Sequence, residues 1–268
     1  MLETACFDWP RKRFGKTNLA ANRYDALPAL HPQRLTGNGG CSRVGVSIIV
    51  PSLTVENYVK AIYLICSEQQ VQAAATGQIA ALLRVLPGTV TSMLKTLSES
   101  NLAAYMPYEG VSLTPSGNAL ALRVLRRHRL IELFLVRTLN LSWDEVHEEA
   151  EHMEHAVSDS LVDRIDEYLD YPEVDPHGDP IPRADGSVPD ASYASLSACG
   201  EGAPFRLMRV TDQSPEFLRY LTQSGLPLGT EGRVVANRTE SGVVSVDVDG
   251  RVTSLGHEAA AKILVESR

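Results

Sequence analysis

The chain has 268 residues, 44% of them hydrophobic and 22% charged, with a net charge of −8. That length suits one to three folded domains of roughly 100 to 200 residues each, and the composition excludes disorder throughout. No run of about 18 apolar residues exists, which excludes a membrane-spanning helix. Cys6, Cys41, Cys66 and Cys199 are scattered with no C-x-x-C pair, which argues against a disulfide scaffold and a cysteine-only zinc site. No secretory signal is readable at the N-terminus, so the expected location is cytoplasmic.

The charge is unevenly spread. Residues 1–50 are net +4, residues 51–117 net −1, residues 118–170 net −6, residues 171–200 net −4 and residues 201–268 net −1. An acidic chain is a poor generic nucleic-acid binder, because phosphate contacts dominate that affinity. A bound divalent cation would offset the acidic middle.

In chain order, residues 1–50 show little periodicity and read as a disordered extension. Order begins near Ser52, with Thr54 as the expected N-cap of a helix whose stripe is Tyr58, Ile62, Tyr63 and Ile65. Gly77–Leu83 and Thr89–Leu97 read as two short helices about a turn at Pro87-Gly88, the layout of a helix-turn-helix. Leu102–Tyr108 and Val111–Leu113 read as a hairpin turning at Glu109-Gly110, and Pro115 opens a long helix. Helix-turn-helix, hairpin and helix together predict a winged helix over residues 51–117. Residues 118–139 and 143–170 read as two long amphipathic helices, forming a helical domain over 118–172. Residues 173–202, rich in Pro, Gly, Asp and Ser, read as a linker. Residues 203–268 alternate as strands at Phe205–Val210, Glu231–Ala236 and Val243–Val248, which suits a small β-barrel.

The densest chemical signal is His147, Glu151, Glu154 and His155. At 100° per residue the last three fall at about 40°, −20° and 80° from His147, one helical face, while His152 falls near 140° and off it. His128 and Glu132, four residues apart, share a face of the preceding helix. Converging carboxylates and imidazoles suit a divalent transition ion, whereas any one residue taken singly is better explained by a solvated acidic surface. His147 and His152 are five apart, so the H-E-x-x-H zinc-protease pattern is absent. Neither a glycine-rich phosphate loop nor G-x-S-x-G occurs, and no enzyme is expected.

Thr54–Tyr63, the helix-turn-helix, Arg127–Glu132, the run His147–His155 with Val157-Ser158-Asp159, and the loop Pro176–Pro182 together resemble the diphtheria-toxin-repressor family, and within it the manganese-responsive branch of actinobacteria. The resemblance covers about residues 52–268. It implies a homodimeric, metal-activated repressor that binds double-stranded operator DNA, with a winged helix, a helical dimerisation domain carrying the metals and a C-terminal SH3-like domain. By position it implies a primary metal site at Asn57, Glu151, Glu154 and His155, and an ancillary site at His128, Glu132 and His147. By a looser match it adds Gln213 and Glu216.

Three departures bear on the metal. Glu151 stands where the iron-responsive branch has cysteine, and a carboxylate there favours Mn²⁺ over softer ions, with Fe²⁺ the alternative. Asn57 replaces the usual Met or Asp. Lys60 stands where short manganese regulators carry a ligand carboxylate, which argues for two separated sites. Thr89, Thr91, Ser92 and Lys95 are the DNA-facing candidates. The other histidines, His31, His177 and His257, read as surface or loop residues. The rival classes are a metal-binding module without DNA binding and a winged-helix regulator whose carboxylate cluster is only structural.

Overall fold

The computed structural model describes residues 52–190 and 192–267. The N-terminal extension expected over residues 1–50 lies outside them.

Helix α1 is Leu53–Glu68, capped by Ser52 rather than Thr54. The Ser52 side chain accepts from Val55 N at 3.4 Å while its own backbone stays extended, the geometry of an N-cap. Helices α2 (Thr76–Leu82) and α3 (Pro87–Glu99) follow. The expected turn at Pro87-Gly88 is instead the first turn of α3. Proline needs no hydrogen-bond partner for an N–H it lacks, so it suits that position. The chain reverses at Leu83–Leu86, with Arg84 in the left-handed region at φ 54°. Strands β1 (Ala103–Met106) and β2 (Gly110–Leu113) pair antiparallel from Ala103↔Leu113 to Met106↔Gly110. The wing tip is Pro107–Glu109, with Tyr108 fully exposed at φ 70°. Val59, Ile62, Ile79, Val90, Leu94, Leu97, Val111 and Val124 are all 0% exposed and fuse these elements into one core.

Helix α4, Pro115–Leu139, links two cores. Leu120, Ala121 and Val124 pack into the winged helix, and Leu130, Ile131, Leu133 and Leu135 into the helical domain. Asn140 ends it in the left-handed region. The single helix expected over 143–170 is two, α5 (Val146–Met153) and α6 (Asp159–Tyr168). The break follows from Ser158, whose hydroxyl accepts from Leu161 N and starts a new helix.

The expected linker is in part packed structure. Asp175, His177, Asp179 and Ile181 are buried. Arg129 of α4 reaches them, donating to Pro180 O at 2.6 Å and pairing with Asp179. Strand β3 (Ala194–Ser195) already belongs to the last domain.

That domain contains β4 (Pro204–Val210), α7 (Pro215–Gln223), β5 (Glu231–Arg238), β6 (Val243–Val248), β7 (Arg251–Gly256), α8 (His257–Ala261) and β8 (Ile263–Ser267). Its sheet runs β3-β8-β4-β5-β6-β7, every pairing antiparallel. The alternating strands bury Phe205, Leu207, Val234, Val244, Val246 and Val265 against Leu218 and Leu221 of α7. Among the described residues no helix is long and apolar enough to cross a membrane.

Candidate metal centre

Three helices and one loop converge on a line of imidazoles and carboxylates. Glu56 and Asn57, with Lys60 one helical turn further on, place one face of α1 against α4 and the end of α5. α4 supplies His128 and Glu132, α5 supplies His147 and Glu151, and Glu154 follows as the α5 C-cap.

The expectation that His147, Glu151, Glu154 and His155 share one helical face holds only to Met153, where the helix ends. His155 lies in the turn beyond and reaches α1. Its Nδ1 donates to Glu56 Oε2 at 2.7 Å, since a carboxylate only accepts. In the neutral ring this tautomer leaves the Nε2 lone pair facing Glu154 Oε1, 3.2 Å away. His155 Nε2 and Asn57 Oδ1 are both buried without a hydrogen-bond partner. His155 Nε2, an orphaned acceptor 3.2 Å from the wholly buried Glu154 carboxylate, makes an arrangement that a cation would satisfy, and Asn57 Oδ1 is a second orphaned acceptor on α1. A carboxylate fixing the far nitrogen of a histidine is also the usual outer support of a metal ligand. Glu56 is itself held by Arg127, which pairs with Glu56 at 3.4 Å and Asp159 at 2.8 Å.

A second group adjoins it. His128 Nε2 lies 3.0 Å from Glu132 Oε1, and His147 Nδ1 lies 3.2 Å from the same oxygen. Burial and the Lys60 ammonium disfavour a charged His128, but Glu132 and Glu154 outweigh them and lift it to about 9. Burial alone would raise Glu132, yet His128 and His147 hold its carboxyl far below the usual range.

A third group continues from the other oxygen of Glu132. His177 Nε2 donates to Trp143 O at 2.8 Å, which leaves Nδ1 without a partner, 3.8 Å from Glu132 Oε2 and 4.0 Å from Asp175 Oδ1. Burial, then Asp179 and Glu132, push Asp175 well above the ordinary carboxylate range. His128/Glu132/His147, His128/Glu151/Glu154 and Glu132/Asp175/His177 each bring their ligand atoms within 4.8 Å of one another.

The structure thus brings His155 to Glu154, groups Glu151 and Glu154 with His128, and joins His128 to Glu132 and His147. It leaves two expected residues out of the clusters. Gln213 turns its amide nitrogen to Asp179 Oδ2 at 2.8 Å, and the Glu216 side chain is 81% exposed, beside Arg219. Both line the same cleft as Glu132 and His147. Sequence reasoning missed Glu56 and Asp175, and it assigned His177 to a surface loop although that residue is fully buried. The available signal was a histidine flanked by acids at 175 and 179, followed by a glycine. Gly178 has φ +87°, and a Cβ there would meet Met208 O at 2.0 Å, so only glycine lets this loop lie against β4.

The DNA-facing candidates lie along α3. Thr89, Ser92 and Lys95 are exposed, and Thr91 is half-buried with its hydroxyl turned to Pro87 O at 3.1 Å.

Comparison with known proteins gives matches over nearly the whole described chain. Residues 52–111 match the family described as "Iron dependent repressor, N-terminal DNA binding domain", residues 114–183 its "metal binding and dimerisation domain", and residues 194–267 the "FeoA domain". The diphtheria toxin repressor of Corynebacterium glutamicum is 30% identical over 211 residues, covering 72% of this chain and 92% of that protein. The iron-dependent repressor IdeR of Mycobacterium leprae is 29% identical over 224 residues, covering 80% and 96%. A solved manganese-dependent transcriptional repressor in complex with manganese is 41% identical at a TM-score of 0.73, covering 80% of this chain and all of that one. The manganese regulator SloR is 35% identical at a TM-score of 0.65, covering 80% and 98%. With DNA-binding, metal-binding and FeoA regions in that order and full-length relatives at this identity, the chain belongs to the diphtheria-toxin-repressor family of metal-dependent transcriptional repressors.

Proposed function

We propose that this repressor responds to Mn²⁺ and, as a homodimer, binds operator DNA of metal-homeostasis genes. The observation that carries the reading is the donor set at the α1–α5 junction. His155 Nε2 is orphaned beside Glu154, Asn57 Oδ1 is a buried orphan on α1, Glu151 and Glu154 meet at Lys60, and no thiolate is among them. Oxygen and imidazole donors favour Mn²⁺ over softer ions. The 41% identity to a manganese-dependent repressor supports the same choice.

Asn57, Glu151, Glu154 and His155 would hold one ion. Glu132, with His128 and His147 on one oxygen and Asp175 and His177 on the other, would hold a second. A divalent ion supplies positive charge to ligands drawn from both the winged helix and the helical domain, and so favours one arrangement of the two. The chain's own residues set that arrangement: Asn57 sits on the helix packed against α2, and Glu154 on the segment packed against α4. In the dimer, two α3 helices would enter successive major grooves about 34 Å apart, with Thr89, Thr91, Ser92 and Lys95 facing the DNA.

The test is a titration of metal-stripped protein onto promoter DNA from its own gene neighbourhood, with chelator, with Mn²⁺ and with anaerobic Fe²⁺. Retention with Mn²⁺ alone, or at much lower Mn²⁺ than Fe²⁺, is the expected result. A preference for Fe²⁺ would move the chain to the iron-responsive class. Equal retention with chelator would overturn metal activation.

A further inference from the structure

A lysine ammonium is already built into this centre. Lys60 projects from the α1 face that carries Glu56 and Asn57, and it is only 7% exposed. Its ammonium donates to Glu151 Oε1 at 2.7 Å and to Glu154 Oε2 and Oε1 at 2.9 and 3.1 Å, and lies 3.2 Å from His128 Nδ1. Those partners are the residues of the His128/Glu151/Glu154 group, one of the three able to hold a metal. The nitrogen thus occupies the middle of a metal-type cluster. It touches both carboxylates that the proposed site with Asn57 and His155 needs.

We infer that Lys60 is an intramolecular stand-in cation: it neutralises Glu151 and Glu154 when no metal is present, and a divalent ion must displace it to enter. The inference rests on the reading of Asn57, Glu151, Glu154 and His155 as a metal site. An ammonium and a divalent ion cannot share the same oxygens, because like charges at that separation repel strongly in a buried setting. Glu154 is wholly buried, so it needs a counter-charge, which Lys60 and the charged His128 supply together in the absence of metal. One cation therefore exchanges for the other. An exit exists: Lys60 borders a cleft of about 520 Å³ that is also lined by Glu68, Asp144, Glu148 and Glu216. Two consequences follow. The metal-free protein keeps α1 tied to α5 by an ion pair, and Lys60 sets how much metal is needed to replace that tie.

The test uses the full chain carrying Glu132→Gln, which disables the neighbouring cluster, with Mn²⁺ binding followed by calorimetry. Lys60→Met should tighten Mn²⁺ at least tenfold, and Lys60→Arg, which keeps the charge, should stay within threefold of the parent. Unchanged or weaker binding in Lys60→Met would overturn the displacement. If neither the parent nor Lys60→Met takes up Mn²⁺, the site reading itself fails and the inference with it. Should Lys60→Met not fold, the wild-type chain gives a second readout. Acylation of the Lys60 amine, followed by mass spectrometry, should rise several-fold on adding Mn²⁺, and no rise would overturn the exchange.

Discussion

Raising the pH should tighten Mn²⁺ binding steeply, because His128 holds a proton that a metal has to replace. Its value of about 9 means that the metal-free ring is charged at neutral pH. Both nitrogens then donate, Nδ1 to Glu154 Oε2 at 2.7 Å and Nε2 to Glu132 Oε1 at 3.0 Å. A ring nitrogen ligates only without its proton, so affinity at the Glu132 cluster gains about tenfold per pH unit below 9. From about pH 6.5 to 8.5 that is about 100-fold, or about 2.7 kcal/mol. The assay is calorimetric titration of the stripped full chain in two buffers of different ionisation enthalpy, which reads proton release directly. About one proton should leave this ring per ion bound near pH 7. A flat affinity over the window, with no proton released, would refute the reasoning.

The same proton governs stability. A folded value raised above the ordinary 6.5 stabilises the fold fully below pH 6.5, and the contribution disappears as pH rises through about 9. It amounts to roughly 3 kcal/mol. The depressed Glu132 is the other side of this interaction and is counted once. Metal-free protein should therefore melt lower as pH rises from 6.5 to 9, and Mn²⁺-loaded protein should be far less sensitive.

Glu56→Gln removes the carboxylate that orients His155, and should weaken Mn²⁺ binding about 10- to 100-fold while leaving the helix intact; an unchanged calorimetric affinity would show that the contact is incidental. Gly178→Ala puts a Cβ 2.0 Å from Met208 O at φ +87°, so it should destabilise the packing of the His177 loop on β4 by about 1–3 kcal/mol. Earlier proteolytic cleavage around residues 183–190 would report it. Lys95→Ala should weaken DNA binding evenly across sequences and reduce the salt slope by about one unit, whereas a sequence-dependent loss would place Lys95 on a base.

Much of this protein is legible in its residues because much of it is local. Pro115, the Tyr58-Ile62-Ile65 stripe and the alternation in 203–268 place their elements within a few residues, since capping and burial periodicity act over one or two turns. The candidate ligand types were readable too, because few arrangements put so many imidazoles and carboxylates on adjoining helices without a cation. Where the chain turns was less so. Ser52 and Ser158 both won as caps over their neighbours through side-chain bonds that composition does not reveal.

What the tertiary structure alone decided is which groups meet. Helical geometry placed His155 with His147, but the helix ends at Met153 and His155 instead meets Glu56, 99 residues away in sequence. His177 looked like a loop residue until Arg129 and β4 buried its loop. Lys60 read only as a missing ligand, and folding puts its charge among Glu151, Glu154 and His128. Pairings of this kind span 51 to 99 residues. No local propensity encodes them, because they depend on how α1, α4 and α5 pack rather than on the conformation of any one of them.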